Sequence, residues 1–196
     1  MRGHTERLRR GMAAVLGVSM AATALLLMLE GRWREVIPLH LCSVSALCAL
    51  GLALRPRAVL LDFLWYLGMP GAALALLFPA PAVCRHQALL NASYTATHAM
   101  ILIIPGVLMG LGMRPRRGRA PEMLLALQGL ALCAAGVNSL LGTDFLFLAA
   151  PPAGTPLERV FALGYAPYLI VLEAMMLALC MAMDALAGRA EQNDRQ

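Results

Sequence analysis

The sequence contains no lysine, and its charged residues make up only 14% of 196 positions. A soluble domain of this size carries about a quarter charged residues, because its surface must face water. The shortage excludes an ordinary water-soluble domain. Aromatic residues are also few, at 6%. The five cysteines, Cys42, Cys48, Cys84, Cys133 and Cys180, contain no C-x-x-C pair, which excludes a zinc ribbon or a thioredoxin-like redox motif. Most of them sit inside apolar runs, where a cysteine behaves as a small hydrophobe.

What fills the chain is apolar: 60% of it is hydrophobic, in runs too long and continuous for an amphipathic soluble helix. About 20 apolar residues in a row cross the hydrocarbon core as one helix. Six such stretches are visible, at residues 11–29, 36–54, 58–78, 87–113, 121–141 and 157–186. Pro70, Pro105 and Pro167 fall inside three of them and predict kinks, which membrane helices tolerate. The pattern predicts an all-α, polytopic transmembrane bundle of six spans. Residues 11–187 form the bundle, between tails at 1–10 and 188–196. The first stretch exceeds the h-region of a signal peptide and lacks a small-residue cleavage site, so it reads as an uncleaved helix.

With six spans, one side collects Arg2, Arg7, Arg9, Arg10, Arg55, Arg57, Arg114, Arg116, Arg117, Arg119, Arg189 and Arg195. The other holds Arg32, Arg34, Arg85 and Arg159. The positive-inside rule then places both termini in the cytoplasm. The same placement explains the net charge of +5 as inner-leaflet anchoring and removes the argument for a nucleic-acid partner. Arginine in place of lysine, with abundant alanine and leucine, suggests a GC-rich bacterial genome and hence a bacterial inner membrane.

Polar side chains within apolar spans are functional candidates, because lipid penalises them. The second stretch offers His40 and Cys42 after Pro38. In the fourth, Asn91, Tyr94, Thr95 and His98 share one helical face. The fifth carries Gln128 and Asn138, and the sixth carries Glu173 near mid-membrane. Counting back from the inner arginines places Cys42 about 10 Å, His98 about 6 Å and Asn138 about 5 Å below the outer boundary. One outer layer thus gathers a thiol and an imidazole, which suggests a nucleophile and its base. His40 stands about 200° from Cys42 on a regular helix, so His98 is its better partner. Pro38 in a first helical turn would bring Cys42 near a helix N-terminus, where the dipole favours thiolate. Tyr94, Asn138 or backbone amides are candidates to hold an oxyanion. The same residues also admit plainer readings. Cys42, Ser45, Ala46, Ala49 and Ala53 form a small-residue seam for close helix packing, and polar groups often only pair across helices. Glu173 reads as structurally paired, while Asp62 and Asp184 fall near helix ends within reach of water.

Several segments together resemble the YwaF-like bacterial membrane proteins, over roughly residues 36–160. Pro38-Leu39-His40-Leu41-Cys42-Ser43 is similar to that group's P-x-H-x-C-S signature. Trp65-Tyr66-Leu67-Gly68, Gly71 and Leu77-Phe78-Pro79 resemble its third helix. The run from Val137 to Leu148 with Pro151-Pro152 resembles its fifth-helix exit, with Asp144-Phe145 where the group has Asn-Tyr. The group takes in the animal transmembrane protein 164, a cysteine-dependent acyltransferase that moves a polyunsaturated acyl chain between ether phospholipids. The resemblance implies that Cys42 is the nucleophile and His98 its histidine.

The expected function is therefore acyl transfer or ester hydrolysis on a membrane lipid by a Cys42–His98 dyad. His40, Tyr94, Asn138 and Glu173 are candidate substrate contacts. Membrane lipids are both solvent and substrate, and the chemistry needs no metal or organic cofactor. Two alternatives stand beside it. A small proton-coupled transporter would use Glu173 and the histidines, and a structural membrane protein would use none of them catalytically. Haem held between His40 and His98 is a further possibility, with a visible colour.

Overall fold

The computed structural model describes residues 2–79, 85–152 and 154–193. The expected bundle is all-helical and polytopic: among the described residues five helices are long and apolar enough to cross a membrane, and a sixth apolar helix is shorter. The chain divides into two compact units, Met1–Arg114 and Pro115–Gln196. Cys84 and Arg195 lie outside the described residues.

The first unit holds α1 (Arg2–Leu29), α2 (Leu41–Leu54), α3 (Ala58–Leu77) and α4 (Gln87–Gly110). Helix α1 begins at Arg2 and so runs through most of the segment read as a tail. Helix α4 packs on each of the other three, and α2 lies between α1 and α3. The small residues of α2 are what allow this. Ser45, Ala46, Ala49 and Ala53 are all buried, and small side chains let helix backbones approach closely. Leu16, Leu52, Leu61, Leu64, Ile101 and Ile104 fill the core around them, each with no exposed surface. Outward residues such as Leu25 and Val18 are well exposed, the arrangement expected where lipid is the outer solvent.

Helix α2 differs from its expected extent. The sequence reads as a span over residues 36–54 with Pro38 in its first turn, but the helix starts only at Leu41. A proline forces its predecessor out of the helical region, and Ile37 accordingly sits at φ −61°, ψ 124°. A short 3₁₀ turn, Trp33–Val36, and the stretch 37–40 occupy the depth that a longer helix would have filled. At 14 residues, α2 is about 21 Å long, against a hydrocarbon core of about 30 Å. Its far end is closed by α1: Arg9 donates from Nε to Ala53 O and from Nη2 to Leu54 O, both at 2.8 Å. Arginine at a helix C-terminus satisfies orphan carbonyls and complements the dipole.

Helix α3 carries a π-helical stretch, Leu64–Gly68. Pro70 has no N–H to return to Tyr66 O, so the regular bond pattern fails just ahead of it. Leu64, Tyr66, Leu67 and Gly68 are buried there.

The second unit holds α5 (Ala120–Leu141), a 3₁₀ turn Phe145–Phe147, a short α6 (Leu157–Phe161) and α7 (Tyr165–Asn193). Gly142, left-handed at φ 64°, ends α5, as glycine commonly does after a helix. The last apolar stretch is not one kinked helix. The chain breaks between α6 and α7 at Gly164, φ 125°, and Pro167 then falls in the first turn of α7, where its missing N–H costs nothing. Helices α5 and α7 pack together.

Candidate functional site

The start of α2 carries the candidate cysteine. His40 is the N-cap, extended at φ −72°, ψ 146°, and offers no side-chain cap. The first helical bond runs from Val44 N to His40 O, 3.1 Å. The amides of Leu41, Cys42 and Ser43 therefore have no acceptor within the helix. Cys42 is the second residue of α2 and a free thiol, half-buried. As the second residue of α2, Cys42 lies in the first turn, at the positive end of the helix dipole. His40, half-buried, lies outside the helix, so the expected opposition of His40 and Cys42 across a regular helix does not apply.

His98 is buried in the middle of α4, 3% exposed. Its Nδ1 lies 2.8 Å from Tyr94 O. A carbonyl only accepts, so Nδ1 carries the proton and the neutral ring presents Nε2 as its bare, basic nitrogen. The Tyr94 ring stacks on the imidazole, with centroids 4.1 Å apart and planes tilted by 38°. Tyr94 is itself fixed by a 3.1 Å bond from its hydroxyl to Ala75 O on α3. The expected polar stripe of α4 thus acts as a mount for the histidine.

Helix α3 serves as a ruler for depth. A Cβ placed on Gly71 would meet Leu41 Cδ2 at 3.4 Å, so the start of α2 lies level with Gly71. Tyr94 reaches Ala75, and one turn further along antiparallel α4, about 6 Å, brings His98 to about the level of Gly71. Cys42 and His98 stand on two helices that pack together. They share no hydrogen bond in this structure. From Gly71, α3 continues to Leu77, about 9 Å beyond the start of α2, which leaves Cys42 recessed. At the same end of the unit, a cleft of about 370 Å³ is lined by Leu26, Leu29, Glu30, Arg85 and His86.

Two buried hydroxyl oxygens, Ser45 Oγ and Thr97 Oγ1, have no hydrogen-bond partner. Ser45 is one turn from Cys42 and Thr97 adjoins His98. Asp62 corrects an expectation: it is fully buried, 0% exposed, rather than in reach of water. The close approach of α2 and α3 at that level, where a methyl on Gly51 would stand 3.3 Å from Leu60 Cδ1, fits this. From the sequence, Ser45 reads both as a polar candidate beside Cys42 and as part of the small-residue seam, and Asp62 as a residue in reach of water.

In the second unit Asn138 is fully engaged. Its Nδ2 donates to Phe145 O at 3.1 Å, and its Oδ1 accepts from Thr143 Oγ1 at 2.9 Å and Phe145 N at 2.8 Å. Asp144 accepts from Ala149 N and Ala150 N, and Tyr168 donates to Phe147 O at 2.5 Å. These bonds hold Leu146 and Phe147 in left-handed conformations, φ 61° and 55°. Glu173 accepts from Gln128 Nε2 at 2.7 Å, the structural pairing expected of it. Asp184 accepts from Gly118 N at 2.7 Å. Among the described residues, no group of three or more histidine, cysteine or acidic side chains is placed to hold a metal.

A family model described as the TMEM164 family matches residues 2–184, nearly the whole chain. No curated protein matches, and no solved structure does.

Proposed function

The chain belongs to the TMEM164 family, and from that premise we propose that it is a membrane-embedded lipid acyltransferase or lipid ester hydrolase working through Cys42 and His98. What supports this reading most is a cysteine in the first turn of α2, on a helix packed against the one whose buried histidine has its Nδ1 at a backbone carbonyl.

The chemistry follows from those two facts. The Cys42 thiol gives its proton to His98 Nε2, and the sulfur attacks the carbonyl carbon of a lipid ester. The carbonyl oxygen becomes an oxyanion beside the backbone amides of the first turn of α2. Collapse breaks the carbon–oxygen bond. The departing lysolipid alkoxide takes the proton back from His98, leaving an acyl thioester on Cys42. In the second half, His98 removes a proton from an acceptor hydroxyl, of a lysolipid or of water, which attacks the thioester and restores the thiol. Catalytic hydrogen bonds are often long before substrate binds, so the dyad closes on the substrate. Tyr94 orients the imidazole and His40 flanks the approach to Cys42. Asn138 and Glu173 support the second unit through the loop and helix contacts they make there.

The recess at the start of α2 suits an ester at the glycerol level of a leaflet, with acyl chains left in the hydrocarbon. The arginine distribution makes that leaflet the outer one, in a bacterial inner membrane with both termini in the cytoplasm. The test is labelling of the purified protein by an ester-mimicking activity probe. Labelling is expected to vanish in Cys42→Ala and to fall sharply in His98→Ala. Labelling that survives both substitutions rules out the dyad.

A further inference from the structure

A serine inside a helix ordinarily returns its hydroxyl to the carbonyl three or four residues earlier. Three serines of this chain do so: Ser19 to Val15 O at 2.9 Å, Ser93 to Leu90 O at 3.0 Å and Ser139 to Ala135 O at 2.8 Å. Ser45 does not. Its residue is 1% exposed, and its Oγ has no partner. A buried unsatisfied hydroxyl is costly, and replacing it with an apolar group of similar shape should be neutral or stabilising. The seam around it is tight as well. A Cβ on Gly68, in the π-helical stretch of α3, would stand 3.2 Å from Ser45 Oγ and 3.3 Å from Ser45 Cβ. Alanine would thus fill this place at no cost in packing, yet a donor stands there without an acceptor.

The missing acceptor is one turn away. Ser45 follows Cys42 by three residues on α2, so the two neighbour each other on one flank of the helix. Side chains on a helix lean toward its N-terminus, which inclines the Ser45 hydroxyl toward the turn that bears the Cys42 sulfur. A neutral thiol is a weak acceptor, but a thiolate is a strong one, and bonds to ionised acceptors are about twice as strong.

We propose that Ser45 is a positioning residue for Cys42: its hydroxyl is unspent at rest and donates to the sulfur as the thiol loses its proton. The thiol proton goes to His98 Nε2. The Ser45 proton stays on its own oxygen throughout and only makes the bond. The proposal rests on the dyad reading above and adds a second hydroxyl donor to that of Ser43, whose side chain already bonds Cys42. The retained cost of a buried orphan hydroxyl is then a cost of function.

The test uses the full chain in lipid nanodiscs, pulsed with methyl methanethiosulfonate at one fixed pH. Labelling of the Cys42 and Cys48 peptides is followed by mass spectrometry, with thermal unfolding measured in parallel. Ser45→Ala is expected to slow Cys42 labelling about tenfold, to leave Cys48 unchanged and to leave Tm equal or higher. Cys42 labelling within about twofold of the native rate in Ser45→Ala overturns the proposal. A lower Tm with slower labelling at both cysteines also overturns it, since Ser45 would then be packing. His98→Ala separates the two readings. If it does not slow Cys42 labelling, the dyad falls whatever Ser45 does; if it does and Ser45→Ala does not, only the role of Ser45 falls.

Discussion

Replacing Asn138 by alanine should release the loop that follows α5 while leaving the helices in place. The loop carries Leu146 and Phe147 in left-handed conformations, at about 1–2 kcal/mol for each non-glycine residue. Asn138 opposes that strain with three hydrogen bonds, each worth about 1 kcal/mol net. The two sums are of similar size, about 3 kcal/mol, so the loop is held with little to spare. Removing the side chain also strips Phe145 N, on a residue only 1% exposed, of its acceptor. Tyr168 and Asp144 continue to hold the distal part through Phe147 O and the amides of Ala149 and Ala150. The expected outcome is therefore local opening. Amide hydrogen exchange over residues 142–150 should speed up by about a hundredfold, the equivalent of about 2.7 kcal/mol, with α5 and α7 exchanging as before. Asn138→Asp keeps the acceptor for Thr143 and Phe145 N but loses the donor to Phe145 O, so it should fall between. Unchanged exchange in Asn138→Ala would refute the claim that this side chain ties the loop.

Other perturbations test the first unit. Tyr94→Phe removes the 3.1 Å bond to Ala75 O but keeps both the ring contact and the backbone carbonyl that sets the His98 tautomer. Probe labelling of Cys42 should drop by less than about tenfold, since one neutral bond is lost; complete loss would mean that the tyrosine hydroxyl is itself catalytic. Gly68→Ala forces a Cβ to within 2.8 Å of Leu64 Cδ2, and Leu64 is fully buried. It should destabilise the unit by about 1–3 kcal/mol, read as a lower Tm in detergent, and an unshifted Tm would show that the π-helical stretch relaxes freely. Arg9→Ala uncaps α2 at Ala53 O and Leu54 O and should cost about 1–2 kcal/mol; Arg9→Lys should recover part of it, and equal Tm for alanine and native protein would make the cap ornamental.

The spans were legible because run length alone identifies a membrane helix, and five of the stretches are long helices where the sequence placed them. The second was misjudged in extent for a physical reason. Residues 36–40 are mostly apolar, so hydropathy joins them to α2, but Pro38 keeps Ile37 extended and the helix starts later. The same blindness to backbone hid the break before Tyr165, where Pro167 opens a helix instead of bending one. The mount of His98 on Tyr94 was visible as a four-residue spacing on one face. The engagement of Asn138 was not, because its partners depend on a left-handed turn that no periodicity announces. Asp62 looked water-accessible from its distance to Arg57, yet burial is decided by how closely α2 lets α3 approach. The orphan hydroxyl of Ser45 is a property of packing alone, since its sequence context differs little from that of the serines that bond to their own helix.

Acyl transfer or ester hydrolysis through Cys42 makes a covalent species that the transporter and structural readings do not. The purified protein, incubated with phospholipid vesicles and quenched in acid, should yield a Cys42 peptide heavier by one fatty acyl group. That mass should be lost on treatment with neutral hydroxylamine, as a thioester is, and should be strongly reduced in His98→Ala. An unmodified Cys42 peptide after prolonged incubation with ester lipids, or equal acylation with and without His98, would contradict the account.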